Sequence, residues 1–258
     1  MTRVDATFAG LVLARHNYRE SDMLVKLMTD RFGKKMFMLN RARKPGFRMT
    51  AGILPFTQGE YVGTINSDGL SFMTAVKDAT QFQAIASDIT LNAYATYILA
   101  LIDQAFPDGE PLGRWFDFAT AALTAIDTGF DPAVITNIAE VQLLGAFGVQ
   151  PDWRGCALDG RTDLPLDFSE QYGGLLCQDH WHLDAYRYRV QPKALYLLRR
   201  FSVIDLHQLH SITVSPATKA ELRRVLDRMY SDMVGVTPKA KRFLDQMAQW
   251  QDKLPPLS

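Results

Sequence analysis

Apolar residues at the start of the chain come in short runs broken by polar turns: residues 7–14, 23–29 and 34–40, separated by 19–22 and 30–33. Runs of this length, rich in Val, Leu, Met and Phe, predict strands. Two more follow at 53–63 and 70–76, joined by Asn66-Ser67-Asp68-Gly69, whose Asp-Gly pair suits the positive backbone angles of a tight hairpin. Five strands in so short a stretch predict a small barrel. The OB type is the natural candidate, because it leaves a strand face and loops open to an oligonucleotide.

After Gln81 the period lengthens. Phe82, Ile85, Ile89, Ala93, Tyr97, Ala100 and Leu101 recur at helical spacing, predicting one long helix closed by Pro107 and Gly109. Further helices are predicted over 114–126, 132–147, 192–201, 216–233 and 239–249, with Ser215 and Thr237 as amino-terminal caps. The last five residues, 254–258, are expected to fray. The fold class is therefore α+β: a five-stranded OB-fold barrel over residues 1–80, then an α-helical domain over 81–258. A turn-rich, zinc-knuckle-like insert occupies 151–184.

A chain of 258 residues with 47% hydrophobic content can bury a sizeable core and supports two modest domains. No uninterrupted apolar stretch approaches the roughly 18 residues of a membrane span, and Asp5 interrupts the short apolar start, so neither a membrane segment nor a secretory signal is expected. A cytoplasmic location is the default expectation. The zero net charge conceals segregation: residues 1–50 hold 11 Lys/Arg against 4 Asp/Glu, and residues 81–153 hold one Arg against 9 acidic residues. A polyanion-binding front end joined to a body suited to protein contacts is the implication.

The basic surplus concentrates in residues 31–50, where Arg31, Lys34, Lys35, Arg41, Arg43, Lys44 and Arg48 appear with no Asp or Glu. With Phe32, Phe37 and Phe47 interleaved, the stretch suits a surface that follows phosphates while rings stack on bases. A lysine-protected edge strand has the same composition. Arg15 and Arg19, on the first hairpin, complete the candidate DNA-binding set.

The insert holds both cysteines. Cys156 and Asp159 are spaced C-x-x-D, and Cys177 and His180 C-x-x-H, just after the Gly173-Gly174 turn signal. Two such knuckles present four side chains to one tetrahedral ion, so zinc is the candidate cofactor, with His182 and Asp179 as spare ligands. The alternative is a metal-free hairpin held by Trp153, Leu158, Phe168 and Leu176. Gly33-Lys34-Lys35 lacks the flanking residues of a phosphate-cradling loop, so no nucleotide cofactor is expected. His16, His207 and His210 are read as surface or core-edge residues and not as catalytic bases.

The order of barrel, helical body, knuckle and closing helices, together with four stretches, resembles the bacterial RecO family of recombination mediators, of the RecFOR repair pathway. The stretches are GLVLARHNYRESDMLVKLMTDRFGK (10–34), with its Arg15 to Asp22 turn and T-x-x-x-G; Leu54-Pro55-Phe56; GCALDG (155–160) to GGLLCQDH (173–180); and LRRVLDRMYSDMVGVTPKAKRFLDQM (222–247). The chain departs from the family's knuckle, which carries C-x-x-C twice; here Asp159 and His180 replace the second cysteine of each pair.

The resemblance implies a non-enzymatic, nucleoid-associated protein that binds single- and double-stranded DNA and anneals complementary strands. It also implies that the partner RecR joins it in loading RecA onto DNA coated by single-stranded-DNA-binding protein (SSB). The acidic, Phe-ending tail of SSB would dock on the helical domain in an apolar pocket with a basic rim, for which Arg199, Arg200, Arg223, Arg224 and Arg228 are the candidates. Two readings compete: a protein-docking scaffold without annealing activity, and a metal hydrolase using the Cys156/Asp159/Cys177/His180 group.

Overall fold

The computed structural model describes residues 3–251, and the chain divides by its contacts into two units, Met1–Thr128 and Gly129–Ser258. In the first unit five strands close a barrel: β1 (Arg3–Tyr18), β2 (Asp22–Thr29), β3 (Gly33–Leu39), β4 (Thr57–Asn66) and β5 (Ser71–Gln81), in the order β1-β2-β3-β5-β4. Closure depends on β1. Its first half pairs with β4, from Arg3↔Asn66 to Leu11↔Gln58, and its second half pairs with β2, from Gly10↔Thr29 to Tyr18↔Asp22. At the crossover a side chain on Gly10 would come within 2.8 Å of Leu27 and 2.9 Å of Tyr61, so only glycine fits. A short parallel pairing, Phe37↔Ser71 and Met38↔Phe72, closes the other seam. The hairpin at Gly69 has φ +76°.

The barrel is filled by Phe8, Val12, Val25, Leu27, Phe37, Leu39, Tyr61 and Met73, with Phe8 stacked on Phe37 at 5.4 Å and edge-on to Phe32 at 5.9 Å. Phe47 also packs against this core. All three rings of the basic stretch pack on the barrel core, Phe37 fully buried and Phe32 and Phe47 partly so. This corrects the expectation of base stacking for Phe37, whose ring is closed to solvent.

Three helices belong to the same unit: α1 (Gln83–Ser87), α2 (Ile89–Ala105) and α3 (Arg114–Asp127). The single helix expected over this region is broken at Asp88, which adopts an extended conformation (φ −109°, ψ 122°) and accepts the N–H groups of Thr90 and Leu91 at 2.7 and 2.9 Å. An aspartate that caps a new helix ends the old one, while the apolar period runs on across it.

A charge cluster joins the barrel to α2. Asp103 Oδ1 lies 2.7 Å from both Lys26 Nζ and Lys34 Nζ, and Asp108 Oδ1 lies 3.2 Å from each. Lys34 also donates to the Asp103 carbonyl, and its side chain is only 2% exposed. Burial works against the charged form of Asp103, yet the hydrogen bonds and charges of the two lysines prevail and hold its carboxyl below the ordinary value.

The second unit contains α4 (Pro132–Leu143), α5 (Pro192–Phe201), α6 (Pro216–Met229) and α7 (Lys239–Gln251), with α4 packed against both α5 and α6. Asp131 and Ser215 cap α4 and α6. The helices expected over 132–147 and 216–233 end earlier, the first tightening into a 3₁₀ turn (Leu144–Phe147) and the second widening into a π turn (Tyr230–Val234), each stopped by a left-handed glycine. The insert forms a small sheet of β6 (Asp152–Cys156), β7 (Leu166–Ser169) and β8 (Gly174–Cys177), in the order β6-β8-β7. Residues 254–258, expected to fray, lie outside the described residues.

Removing the Asp103 carboxylate should leave Lys34 buried beside only the more exposed Asp108. Asp103→Ala is expected to lower stability by about 2–4 kcal/mol in urea unfolding, toward the low side of the range for a broken buried pair because Asp103 itself is 37% exposed. The depressed carboxyl contributes stability above its unfolded-state pKa, and that contribution disappears as pH falls through its folded value. The difference between wild type and Asp103→Ala should therefore shrink on acidification.

Candidate nucleic-acid face and four-ligand cluster

The outward cations of the barrel gather where the β1–β2 hairpin meets the loop after β3. Arg43 makes the join: its N–H donates to Ser21 O at 2.9 Å, and its guanidinium donates to Arg19 O at 3.3 Å and Glu20 O at 3.1 Å. Beside it the Arg41 N–H donates to Asp22 Oδ1 at 2.9 Å, with Arg41 held at φ +55°. Arg19, at φ +50°, lays its guanidinium 5.1 Å from the Tyr18 ring centre. Exposed Arg15, Arg41, Lys44 and Arg48 have no side-chain hydrogen bond or ion pair among the described residues. The turn between the first two strands is one of the loops by which OB barrels grip oligonucleotides.

Other members of the predicted set are spent on the fold. Lys34 is removed from any phosphate surface by its burial against Asp103, which corrects the expectation placed on it. Lys35 Nζ donates to the carbonyls of Asn66 and Ser67 at 3.1 and 3.0 Å, tying β3 to the β4–β5 turn. Arg31 donates to Thr7 O, lies 3.7 Å from Asp30 and packs on the Phe32 ring at 5.3 Å, with about half its side chain exposed.

In the second unit the two knuckles converge. One ligand atom from each of Cys156, Asp159, Cys177 and His180 lies within 4.8 Å of every other. His180 Nδ1 is 3.4 Å from Cys156 Sγ and 3.2 Å from Cys177 Sγ, while Asp159 Oδ2 is 3.7 Å from that nitrogen and 3.8 Å from Cys177 Sγ. Donors about 2.0–2.3 Å from a tetrahedral zinc ion stand about 3.3–3.8 Å apart, so the donor types and spacings fit the ion. The Arg161 N–H occupies Asp159 Oδ1 at 3.1 Å, which leaves Oδ2 facing the cluster and holds the carboxyl below its ordinary value. Burial raises the Cys177 thiol, and the adjoining Cys156 adds to the effect. Asp179 instead pairs with Arg161 at 3.3 Å, and His182 is exposed. Trp153 stacks on Phe168 and Leu176 is buried as expected of the hairpin, whereas Leu158 is exposed.

The five arginines expected around a partner pocket separate into two groups. Arg223 pairs with Asp227 and Asp245, Arg224 binds Glu221 at 2.7 Å, and Arg228 pairs with Asp232 and covers the Tyr188 ring at 3.9 Å. These three are committed to the ion-pair network of α6, a correction to their expected place on a pocket rim. Arg199 lines a groove of about 670 Å3 with Leu166, Trp181, Val190, Leu195 and Tyr196. Arg187 and Arg189 belong to the same groove, and Arg199 and Arg200 line a second one beside it with Trp153 and Val203. The sequence reading missed Arg187 and Arg189; the alternation Tyr186-Arg187-Tyr188-Arg189 was the available signal.

A closed five-stranded barrel of OB order, followed by helices and a four-ligand knuckle, defines an OB-fold protein with an added helical body. Family models described as "Recombination protein O N terminal" and "Recombination protein O C terminal" match residues 1–82 and 86–242. The chain belongs to this family, and its role lies in DNA repair and recombination, as a mediator and not as a catalyst. It is similar to the "DNA repair protein RecO" of Latilactobacillus sakei subsp. sakei, 59% identical over 250 residues that cover 97% of this chain and 92% of the relative. Proteins of the same name from Lactiplantibacillus plantarum (53% over 249 residues, 96% of each chain) and Levilactobacillus brevis (52% over 256 residues, 99% and 98%) are also similar to it. The family matches meet near residue 84, whereas the contacts divide the chain after Thr128. Among the described residues no helix is long and apolar enough to cross a membrane.

Proposed function

We propose that the chain binds single- and double-stranded DNA through the cations around the β1–β2 hairpin and anneals complementary strands without catalysis. The observation that carries this reading is the fastening of the loop after β3, with exposed Arg41, Arg43, Lys44 and Arg48, to the β1–β2 turn that holds exposed Arg19, at the end of the strand that carries exposed Arg15. Phosphate contacts of this kind release counterions and are indifferent to sequence. Annealing follows from lowered repulsion between two strands whose bases stay free to pair. The barrel would act as residues 1–80 and the remainder as a partner-binding body, at work in the cytoplasm on the nucleoid.

The family resemblance extends the proposal to RecR, to RecA loading and to the SSB tail. The groove beside α5 supports the last of these, since Leu166, Trp181 and Leu195 offer apolar surface to a terminal phenylalanine and Arg189 and Arg199 offer charge to acidic residues, while Arg187 is paired with Asp167 at 3.1 Å. Zinc is proposed as a structural ion on Cys156, Asp159, Cys177 and His180. Four protein donors leave no open coordination position, which favours a structural site over a hydrolase.

Reversing Arg41, Lys44 and Arg48 to Glu should slow annealing of complementary oligonucleotides by about tenfold or more, with an unchanged melting curve. Wild-type protein that binds partners yet anneals nothing would favour the docking scaffold. Adding SSB should leave annealing active, and Arg189→Glu should weaken binding of an SSB-tail peptide. Metal analysis is expected to find one zinc per chain, lost in Cys177→Ser; a zinc-free, stably folded wild type would establish the metal-free knuckle instead.

A further inference from the structure

The donor set differs from an all-thiolate site in one respect with chemical consequences: its only two sulfurs are the only two cysteines of the chain. Cys156 ends β6 and Cys177 ends β8, neighbouring strands of the small sheet, and both reach the same cluster. Their sulfurs lie within 4.8 Å of each other, against about 2.05 Å in a disulfide. The closure is small. It falls on two turn-rich knuckles rather than on the helices.

Access to the sulfurs is selective. Cys156 is 3% and Cys177 0% exposed, so a protein or peptide disulfide cannot reach them directly. Leu164, Leu166, Tyr172 and Trp181 pack against the buried Cys156, Leu176 and Cys177, while Asp159 is exposed and His180 half-buried. A hydroperoxide small enough to enter beside the Asp159 carboxylate would meet a sulfur whose partner sulfur is already beside it. A resolving thiol so close diverts the first oxidation product away from the irreversible acids.

We propose that Cys156 and Cys177 are a reversible oxidation site for small hydroperoxides, and that the intramolecular disulfide they form opens the four-ligand cluster. With hydrogen peroxide, one thiolate attacks the O–O bond, giving a sulfenic acid and hydroxide; the second sulfur, as its thiolate, attacks that sulfur, forming the S–S bond and expelling a second hydroxide. Both hydroxides take up protons, so one hydrogen peroxide, two thiolates and two protons give one disulfide and two waters; an organic hydroperoxide gives its alcohol in place of one water. The sulfurs lose two electrons and the peroxide oxygens gain them. Asp159 and His180 then remain as the only donors, and two ligands do not hold a tetrahedral ion. The loss of the ion rests on the zinc reading above; the disulfide does not.

The test is a hydrogen peroxide titration of the full chain, read by intact mass, by free-thiol count and by a zinc-responsive dye. The expected product is a monomer about 2 Da lighter, with no free thiol, and with zinc released in step with the disulfide. A dithiol reductant should restore the mass and allow zinc to rebind. Cys156→Ser and Cys177→Ser should each show no such product. Retention of both thiols under peroxide, or stepwise gain of oxygen to sulfinic and sulfonic acids, overturns the proposal even if zinc is present. Disulfide formation in a chain that carries no zinc upholds the oxidation site and overturns the metal reading alone.

Discussion

Closure of the barrel requires β1 to pair with β4 and β2 in succession, and the position of the exposed cations around the β1–β2 hairpin follows from that requirement. The strand must cross from one neighbour to the other at Gly10, where Leu27 and Tyr61 leave no room for a side chain. Beyond the crossing, residues 14–18 pair with β2 alone, so the hairpin tip stands on a strand pair anchored in the core. Arg43 and Asp22 then fasten the loop after β3 to that tip. The loop's cations inherit the position of the hairpin.

The same constraint sorts the basic residues of the first fifty positions. Lys34 points toward Asp103 of α2, which it meets at 2.7 Å, with Asp108 at 3.2 Å, and Lys35 points toward the β4–β5 turn. Charges that lock the fold, Lys34 and Lys35, therefore lie on β3, and the exposed Arg41, Arg43, Lys44 and Arg48 follow them in the loop after it. Neutralising the first kind threatens stability because a buried charge loses its partner, whereas the second kind are solvated and exchangeable. In the second unit the acidic partners of Arg223, Arg224, Arg228 and Arg187 play the locking part, leaving the groove beside α5 to Arg189 and Arg199.

Much of this was legible before the fold was known. All five strands appear as apolar runs because their middles face one core, but Arg3–Asp5 and Lys77–Gln81 extend β1 and β5 with polar residues that carry no such signal. The four-ligand cluster was legible because each knuckle keeps its two ligands three residues apart in sequence. The break at Asp88 was hidden, since the apolar period continues across a residue whose capping role depends on backbone angles. Which of Lys34 and Lys35 turns inward could not be read locally: the deciding carboxylate, Asp103, lies 69 residues away from Lys34. The groove was equally invisible, being assembled from residues 162–199 across strand, turn and helix.

The central claim is that a sequence-indifferent phosphate grip resides on the outward cations of the hairpin and its attached loop. Its most direct test is the salt dependence of binding to a single-stranded oligonucleotide, measured for wild type and for single alanine replacements of Arg41, Lys44 and Arg48. The logarithm of the binding constant should fall linearly with the logarithm of salt concentration, and each replacement should reduce the steepness by about 1 or less. A wild-type response that is flat, or a slope untouched by all three replacements, would contradict the account.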